Sequence, residues 1–239
     1  MNYIYRGNLN RQIIFCLILA LIITAGCSHV QVERQAVSAS ATVIKRIALI
    51  GFKTAVYQSD ESDDASVSMS YNMSPQDPVL IKKSLYLTPS LFEVMTEYKG
   101  YELIGPEITG GVFSKIAASG QGISNVEIAG RTARELQADA AIIGYLYRWK
   151  EREGSDYAVN SPASVFYNLY LVSPDNGSVL WKGQFNKTQR SLSENLLDIR
   201  TFFKGKGKWM TADDLAVMGM KDLIDDLILF MEKGKEGKN

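Results

Sequence analysis

The stretch that decides the fold is "GRTARELQADAAIIGYLYRW", residues 130–149. Its first half continues a helix that opens at Ser124, where Glu127 follows three residues later as a capping box. Its second half begins an apolar run, Ala138–Glu153, that becomes polar towards its end and predicts the longest strand of the domain. A helix that leads directly into a long apolar strand is typical of the α/β class.

Two further strands are predicted before this segment. In "KRIALIGF", residues 45–52, a short apolar run closed by glycine predicts a strand buried on both faces. "YELIGP", residues 101–106, predicts a second, shorter strand. Between them we expect a helix that is capped by Thr88, carries Pro89 in its first turn and stops at Gly100.

After the central segment the pattern changes to antiparallel strands. "ASVFYNLYLV" and "GSVLWKGQFNKTQ" flank the turn sequence "SPDNG", residues 173–177, which predicts a hairpin. A long helix then opens at Thr211 and Asp214, with a buried stripe every three or four residues. The whole order predicts a single α/β sandwich domain, in which helices flank a mixed, mostly antiparallel sheet.

The amino-terminal segment has the three parts of a secretory signal. Arg6 and Arg11 precede an uninterrupted apolar run of eleven residues, Ile13–Ile23, whereas a spanning helix needs about 20. The small residues before Cys27 resemble the lipobox of bacterial lipoproteins, in which the cysteine receives a diacylglyceryl group and becomes the first mature residue. Thr24 stands where that motif usually has leucine.

The resemblance implies a lipid anchor and an address. Several acyl chains hold a protein stably, since each buried methylene contributes about 0.8 kcal/mol. Ser28, rather than aspartate, after the cysteine implies the outer membrane in a Gram-negative host, with the domain facing the periplasm. We therefore expect a signal peptide over 1–26, a lipidated flexible tether over 27–43, the α/β domain over 44–232 and a disordered tail over 233–239.

Composition removes several classes of function. Cys16 lies in the signal and Cys27 carries lipid, so the domain has no cysteine, and the single histidine, His29, lies in the tether. Ser-His-Asp and Cys-His catalysis and histidine-bound metals are thereby excluded, and no cofactor is expected. Without Arg6 and Arg11 the charges are 24 basic against 26 acidic, 24 − 26 = −2, which argues against nucleic-acid binding.

The domain sequence also resembles a known group. A helix that runs into "ADAAIIG", residues 138–144, and a strand that ends at "DNGSVLW", residues 175–181, are similar to motifs of the TolB amino-terminal domain, the curli secretion lipoprotein CsgG and the peptidoglycan-synthase activator LpoB. This resemblance implies a non-catalytic lipoprotein that acts as a binding or assembly factor in the cell envelope. It implies an envelope protein as partner, is compatible with an oligomer, and transfers no catalytic residue.

One loop is a candidate contact site. "DIRTFFKGKGKWMT", residues 198–211, alternates lysine with glycine between aromatic side chains. One interpretation is a basic loop with aromatic wedges that meets anionic headgroups or an acidic partner; in the other, the aromatics pack into the core and the lysines face solvent. The residues concerned are Phe202, Phe203, Lys204, Lys206, Lys208 and Trp209.

Other functions remain as alternatives. A hydrolase of peptidoglycan or polysaccharide needs only two carboxylates roughly 5 to 10 Å apart. A curli-type channel would need two membrane hairpins per subunit, and 66–73 is the single weak candidate. Tyr145, Tyr147 and Trp149 alternate along one strand and could stack on sugar or lie beneath a helix.

Overall fold

The computed structural model describes residues 43–55, 77–120, 122–155, 159–189 and 209–236. They all belong to one compact unit, formed by Val30–Gln189 with Lys208–Asn239. Its elements, in chain order, are β1 (Arg46–Thr54), α1 (Pro78–Thr96), β2 (Glu102–Ile104), α2 (Pro106–Ser119), α3 (Asn125–Glu135), β3 (Ala140–Lys150), β4 (Glu153–Gly154), β5 (Val159–Ser161), β6 (Ser164–Val172), β7 (Val179–Thr188) and α4 (Ala212–Glu236).

A five-stranded mixed sheet forms the centre, in the order β2-β1-β3-β6-β7. β1 pairs in parallel with β2 and β3, and the longer ladders β3–β6 and β6–β7 are antiparallel. β4 and β5 form a separate small antiparallel pair. The predicted α/β sandwich with a mixed sheet is confirmed, and β3 is its longest strand.

Both faces of the sheet are covered by helices. Alternate residues of β1 point in opposite directions: Ile47 and Leu49 pack with α1 and α4, whereas Ala48 and Ile50 pack with α2 and α3. All four are nearly inaccessible to solvent. The apolar run in β1 therefore reflects burial on two sides, as the sequence predicted.

The central segment folds as predicted. The hydroxyl of Ser124 accepts the backbone N–H of Glu127 at 3.2 Å and caps α3. Just before β3, the carboxylate of Asp139 accepts the backbone N–H groups of Lys45 and Arg46 at 2.8 and 2.9 Å. The start of β3 is thereby fixed beside the start of β1.

The hairpin between β6 and β7 packs against α3. Gly177 adopts φ +69° at its tip, and the side chain of Asn176 accepts the N–H of Ser178 at 3.0 Å. A Cβ built on Gly130 would lie 2.7 Å from the carbonyl oxygen of Ser173. The glycine that begins the central segment therefore allows α3 to touch the hairpin backbone.

The predicted start of α1 is wrong. The helix begins at Pro78, where the carboxylate of Asp77 accepts the N–H of Val79 at 2.8 Å, and Pro89 lies inside it. A proline has no N–H, so the carbonyl of Leu85, an exposed residue, receives no helical hydrogen bond from position 89. Thr88 is not a cap.

Instead, Thr88 joins α1 to the sheet. Its hydroxyl donates to the carbonyl of Ser84 at 2.9 Å and accepts the backbone N–H of Phe52 at 2.9 Å. The N–H of Phe52 is available because the β1–β3 register shifts between Leu49 and Gly51. The bulge therefore gives Thr88 a backbone N–H to bond while it lies in the middle of α1 and not at the start of the helix.

α4 begins as predicted and ends later. The hydroxyl of Thr211 accepts the N–H of Asp214 at 3.1 Å. The helix runs to Glu236 and so includes residues 233–236 of the segment expected to be a disordered tail; 237–239 lie outside the described residues. The predicted buried stripe is confirmed, and it consists of Ala216, Met220, Leu223, Ile224, Leu227 and Met231.

Candidate functional site

Most of the site residues predicted from the sequence lie outside the described ranges, and for them the predictions stand untested. They are Cys27, Phe202, Phe203, Lys204, Lys206 and Lys208. The candidate hairpin 66–73 also lies outside these ranges.

Trp209, the last of the six predicted contact residues, is described and half-buried. Its carbonyl accepts a hydrogen bond from the guanidinium of Arg152 at 2.6 Å. The next N–H, that of Met210, donates to the side chain of Gln189 at 2.7 Å. The chain is thus held at the end of the sheet where β3 and β7 finish.

The domain has two distinct ends. At one end, the chain enters β1 at Arg46 and β7 begins. The later part of α4 also lies at this end, because the indole N–H of Trp181, near the start of β7, donates to Asp226 at 2.9 Å. We call this the proximal end. At the opposite, distal end, β1 and β3 finish, and α1 and α4 begin.

An exposed apolar surface lies on α1 towards the distal end. Val79 is 52% exposed, Leu85 69% and Tyr86 43%, and Lys82 between them is also exposed. Positions 79, 82 and 86 follow helical spacing and share one side of the helix. We call these four residues the distal surface.

Lys83 fixes the helix beneath this surface. Its ammonium lies 2.7 Å from the carboxylate of Asp213, 4.7 Å from the ring centroid of Trp149 and 5.3 Å from that of Tyr86. Three elements, α1, β3 and α4, therefore meet at one cation. Among the described residues, the buried indole nitrogen of Trp149 has no hydrogen-bond partner, so it is a donor that the described part of the fold does not use.

The predicted aromatic stripe on β3 does not form. The β3–β6 register shifts between Leu146 and Arg148, which places Trp149 with the α1 and α4 side while Tyr145 and Tyr147 pack on the opposite side. Tyr145 is fully buried against Tyr170, with ring centroids 5.8 Å apart. The interpretation as a sugar-stacking face is therefore wrong, because the bulge separates its members.

Four carboxylates of the described ranges bond to other elements of the fold. Besides Asp139 and Asp226, the carboxylate of Glu151 accepts the N–H of Ala212 at 2.9 Å at the start of α4, and that of Asp225 accepts the hydroxyl of Tyr98. Glu151 lies at the distal end and the other three at the proximal end, and each of the four accepts a hydrogen bond that holds one element of the fold against another. Within the described ranges, no group of three or more His, Cys, Asp or Glu side chains could hold a metal ion.

Two tyrosines have raised pKa values. Burial and the hydrogen bond to Asp225 raise the pKa of Tyr98 to about 12. Burial raises the pKa of Tyr167 well above its ordinary value, and its hydroxyl donates to the carbonyl of Ala216 at 2.9 Å. Both phenols tie α4 to the rest of the domain in their neutral form.

Of the helices in the described part of the chain, none is long and apolar enough to cross a bilayer. Neither a family model nor a curated protein matches the sequence.

Solved structures similar to this chain include the hypothetical protein CT253 from Chlamydia trachomatis, at 12% identity and a TM-score of 0.44, covering 79% of this chain and 98% of that one. Lipoprotein GNA1162 from Neisseria meningitidis has 13% identity and a TM-score of 0.36, covering 66% and 92%. The LpoB C-terminal domain from Escherichia coli has 9% identity and a TM-score of 0.34, covering 64% and 90%. The LpoB group, which the sequence resembles, is therefore among them.

The distal surface was not predicted from the sequence. Its signal was present in "DPVLIKKSLY", residues 77–86, where Asp77 and Pro78 open a helix in the same way as the Thr88–Pro89 pair was expected to do. In a helix that begins at Pro78, the apolar residues Val79, Leu85 and Tyr86 lie outside the buried stripe.

Proposed function

We propose that this protein is a membrane-anchored, non-catalytic lipoprotein of the bacterial envelope that binds a protein partner through its distal surface. The observation that carries the proposal is the exposure of Val79, Leu85 and Tyr86, at 52%, 69% and 43%, on a helix whose opposite side is fully packed.

The anchor is proposed from the sequence. Cys27 follows a short apolar segment and small residues, and its acylation would hold the mature chain to the outer membrane. The 15 residues between Cys27 and Val43 can reach at most about 50 Å when fully extended. This length limits how far the domain can move from its leaflet.

The two ends of the domain give the anchor and the distal surface opposite positions. β1 has nine residues, which at about 3.3 Å per residue separates its ends by about 30 Å. With the chain entering at the proximal end, the distal surface would lie on the far side of the domain from the anchor. A partner within roughly 80 Å of the leaflet, the sum of the two lengths, is then within reach.

The chemistry of the surface favours a protein as partner. Large apolar side chains that are exposed together mark interaction sites, and tyrosine, here Tyr86, is enriched in protein interfaces. Lys83 and Trp149 hold α1 against β3 and α4, so the surface is already ordered before binding and loses little conformational entropy on association.

Site-specific crosslinking in cells tests the proposal. A photo-reactive amino acid is placed at Leu85 and, as a matched control, at Ile108 of α2, which is 59% exposed. We expect one envelope protein to be captured from position 85 and not from position 108. The captured protein is then purified and its affinity measured for the unaltered chain and for the Leu85→Ser, Tyr86→Ser variant.

The expected result is an affinity at least tenfold weaker for the double variant, with the Ile108→Ser chain unchanged. Equal capture from both positions, or equal affinities of all three chains, would contradict a role for the distal surface. Membrane fractionation of each variant separates this outcome from a failure of the anchor.

A further inference from the structure

A second exposed apolar feature lies near the end of α4. Leu229 is 55% exposed and Phe230 39% exposed, whereas the neighbouring Ile228 and Met231 are buried, so the two exposed side chains lie on the outer side of the helix. The helix continues for ten residues beyond Asp226, about 15 Å at 1.5 Å per residue. Lys233, one turn after Leu229, is also exposed. We call Leu229, Phe230 and Lys233 the proximal tip.

The proximal tip lies at the end of the domain where the chain enters. Asp226, three residues before Leu229, accepts the indole N–H of Trp181 near the start of β7, and β1, β3 and β7 all start at this end of the sheet. Ile44, two residues before β1, is buried. Cys27 precedes Ile44 by 17 residues. An anchor at Cys27 would therefore be joined to the domain at this end.

We infer that the proximal tip contacts the bilayer leaflet that carries the anchor. This inference rests on the lipid anchor in the proposed function. Leucine and phenylalanine at the end of an amphipathic helix enter the boundary between headgroups and acyl chains, and a neighbouring lysine keeps its ammonium among anionic headgroups. Two apolar side chains bind weakly alone, but the anchor supplies them at a high effective concentration.

Contact at the tip would orient the domain. A protein held by one tether alone can turn freely, whereas two contact points at one end restrict that rotation. The distal surface, on the opposite end, would then face away from the leaflet. The exposed apolar side chains at the two ends of the domain would then contact different things: the leaflet at the proximal tip and a protein partner at the distal surface.

A single fluorophore measures this contact in the acylated chain. Cys16 is lost with the signal and the thiol of Cys27 is acylated, so an introduced cysteine is the one free thiol for labelling. Leu229→Cys and the matched control Leu85→Cys, 55% and 69% exposed in the parent chain, each receive an environment-sensitive dye. Both acylated proteins are reconstituted in phosphatidylethanolamine and phosphatidylglycerol vesicles that contain brominated phosphatidylcholine as quencher.

We expect the dye at position 229 to be quenched several-fold more than the dye at position 85, and its emission to shift to the blue only when vesicles are present. Equal quenching at both positions, in protein that floats with the vesicles, would overturn the inference and leave the anchor intact. A blue shift at position 229 without vesicles that grows with protein concentration would assign the tip to a second copy and overturn it as well. Protein that does not float would overturn the anchor and this inference together.

Discussion

Replacing Gly130 by alanine tests the contact on which the central segment depends. The new Cβ would lie 2.7 Å from the carbonyl oxygen of Ser173 and 2.9 Å from the Cα of Gly177. Both atoms belong to backbone, so neither can rotate away. To restore contacts of about 3.5 Å, α3 and the hairpin would have to move apart by more than half an ångström.

The two effects of the substitution have opposite signs. Alanine in place of glycine inside a helix stabilises by about 1 kcal/mol, whereas overpacking a close contact costs about 1 to 3 kcal/mol and more where backbone must move. The shift would also loosen Ala129 and Ala133, both fully buried beside Gly130. We expect a net destabilisation of about 2 kcal/mol, or a fall in Tm of roughly 4 to 8 °C for a domain of this size.

Urea unfolding followed by circular dichroism measures the difference. The matched control is Gly111→Ala, also within a helix, where the new Cβ meets no atom within 4 Å; it should stabilise the protein by about 0.5 to 1 kcal/mol. Opposite signs for the two alanine variants are the expected result. If Gly130→Ala were as stabilising as Gly111→Ala, the close approach of α3 to the hairpin would be wrong.

Three other substitutions have defined outcomes. Tyr167→Phe should lower the free energy of unfolding by about 1 kcal/mol near neutral pH. Because burial raises the pKa of Tyr167 above 10, the extra stability of the parent chain is present below pH 10 and is lost as the pH rises further. The urea midpoints of the two chains should therefore converge in alkali, and a constant difference would refute this. Asp139→Ala, which removes the acceptor of two β1 N–H groups, should cost about 1 to 3 kcal/mol in urea unfolding, and an unchanged midpoint would contradict the role given to this carboxylate. Trp181→Phe should lose the bond to Asp226 and about 1 to 2 kcal/mol; a Trp181→Phe chain as stable as its parent in a thermal melt would show that this bond adds nothing.

The fold could largely be predicted because its signals are local. Two helix starts are marked by a capping side chain followed three residues later by an acid, before an apolar stripe. They are Ser124 with Glu127 and Thr211 with Asp214, and each pair has the expected hydrogen bond. Residues 173–177 make a hairpin because Gly177 can adopt a positive φ at little cost. These elements need no knowledge of the rest of the chain.

The errors arise where tertiary contacts override local preference. Thr88 and Pro89 have the sequence of a helix start, but the hydroxyl of Thr88 bonds Phe52 across the β1 bulge and the helix extends back to Pro78. The register shift after Leu146 likewise reversed the side on which Trp149 packs. A bulge adds one residue to a strand without a strong sequence mark, so an alternating pattern read across it fails.

The candidate site was less predictable than the fold. The sequence drew attention to the lysines of 198–211 because charge and aromatic patterns are conspicuous, whereas the distal surface depends on which side of α1 is left uncovered. That side is fixed by Leu87 and Leu91, which pack on the sheet, and by Lys83, which pairs with Asp213 about 130 residues later in the chain. Such long-range contacts are absent from any local pattern.

Acylation of Cys27 is the central claim, and the mass of the mature protein tests it most directly. The protein is expressed in a Gram-negative host, extracted from the outer membrane and measured intact, beside a Cys27→Ser variant. We predict a chain that begins at residue 27 and carries the added mass of a diacylglyceryl group with its amide-linked acyl chain, and a variant that loses both the modification and its membrane association. A mature chain with an unmodified sulfur at position 27, or one that retains residues 1–26, would contradict the account.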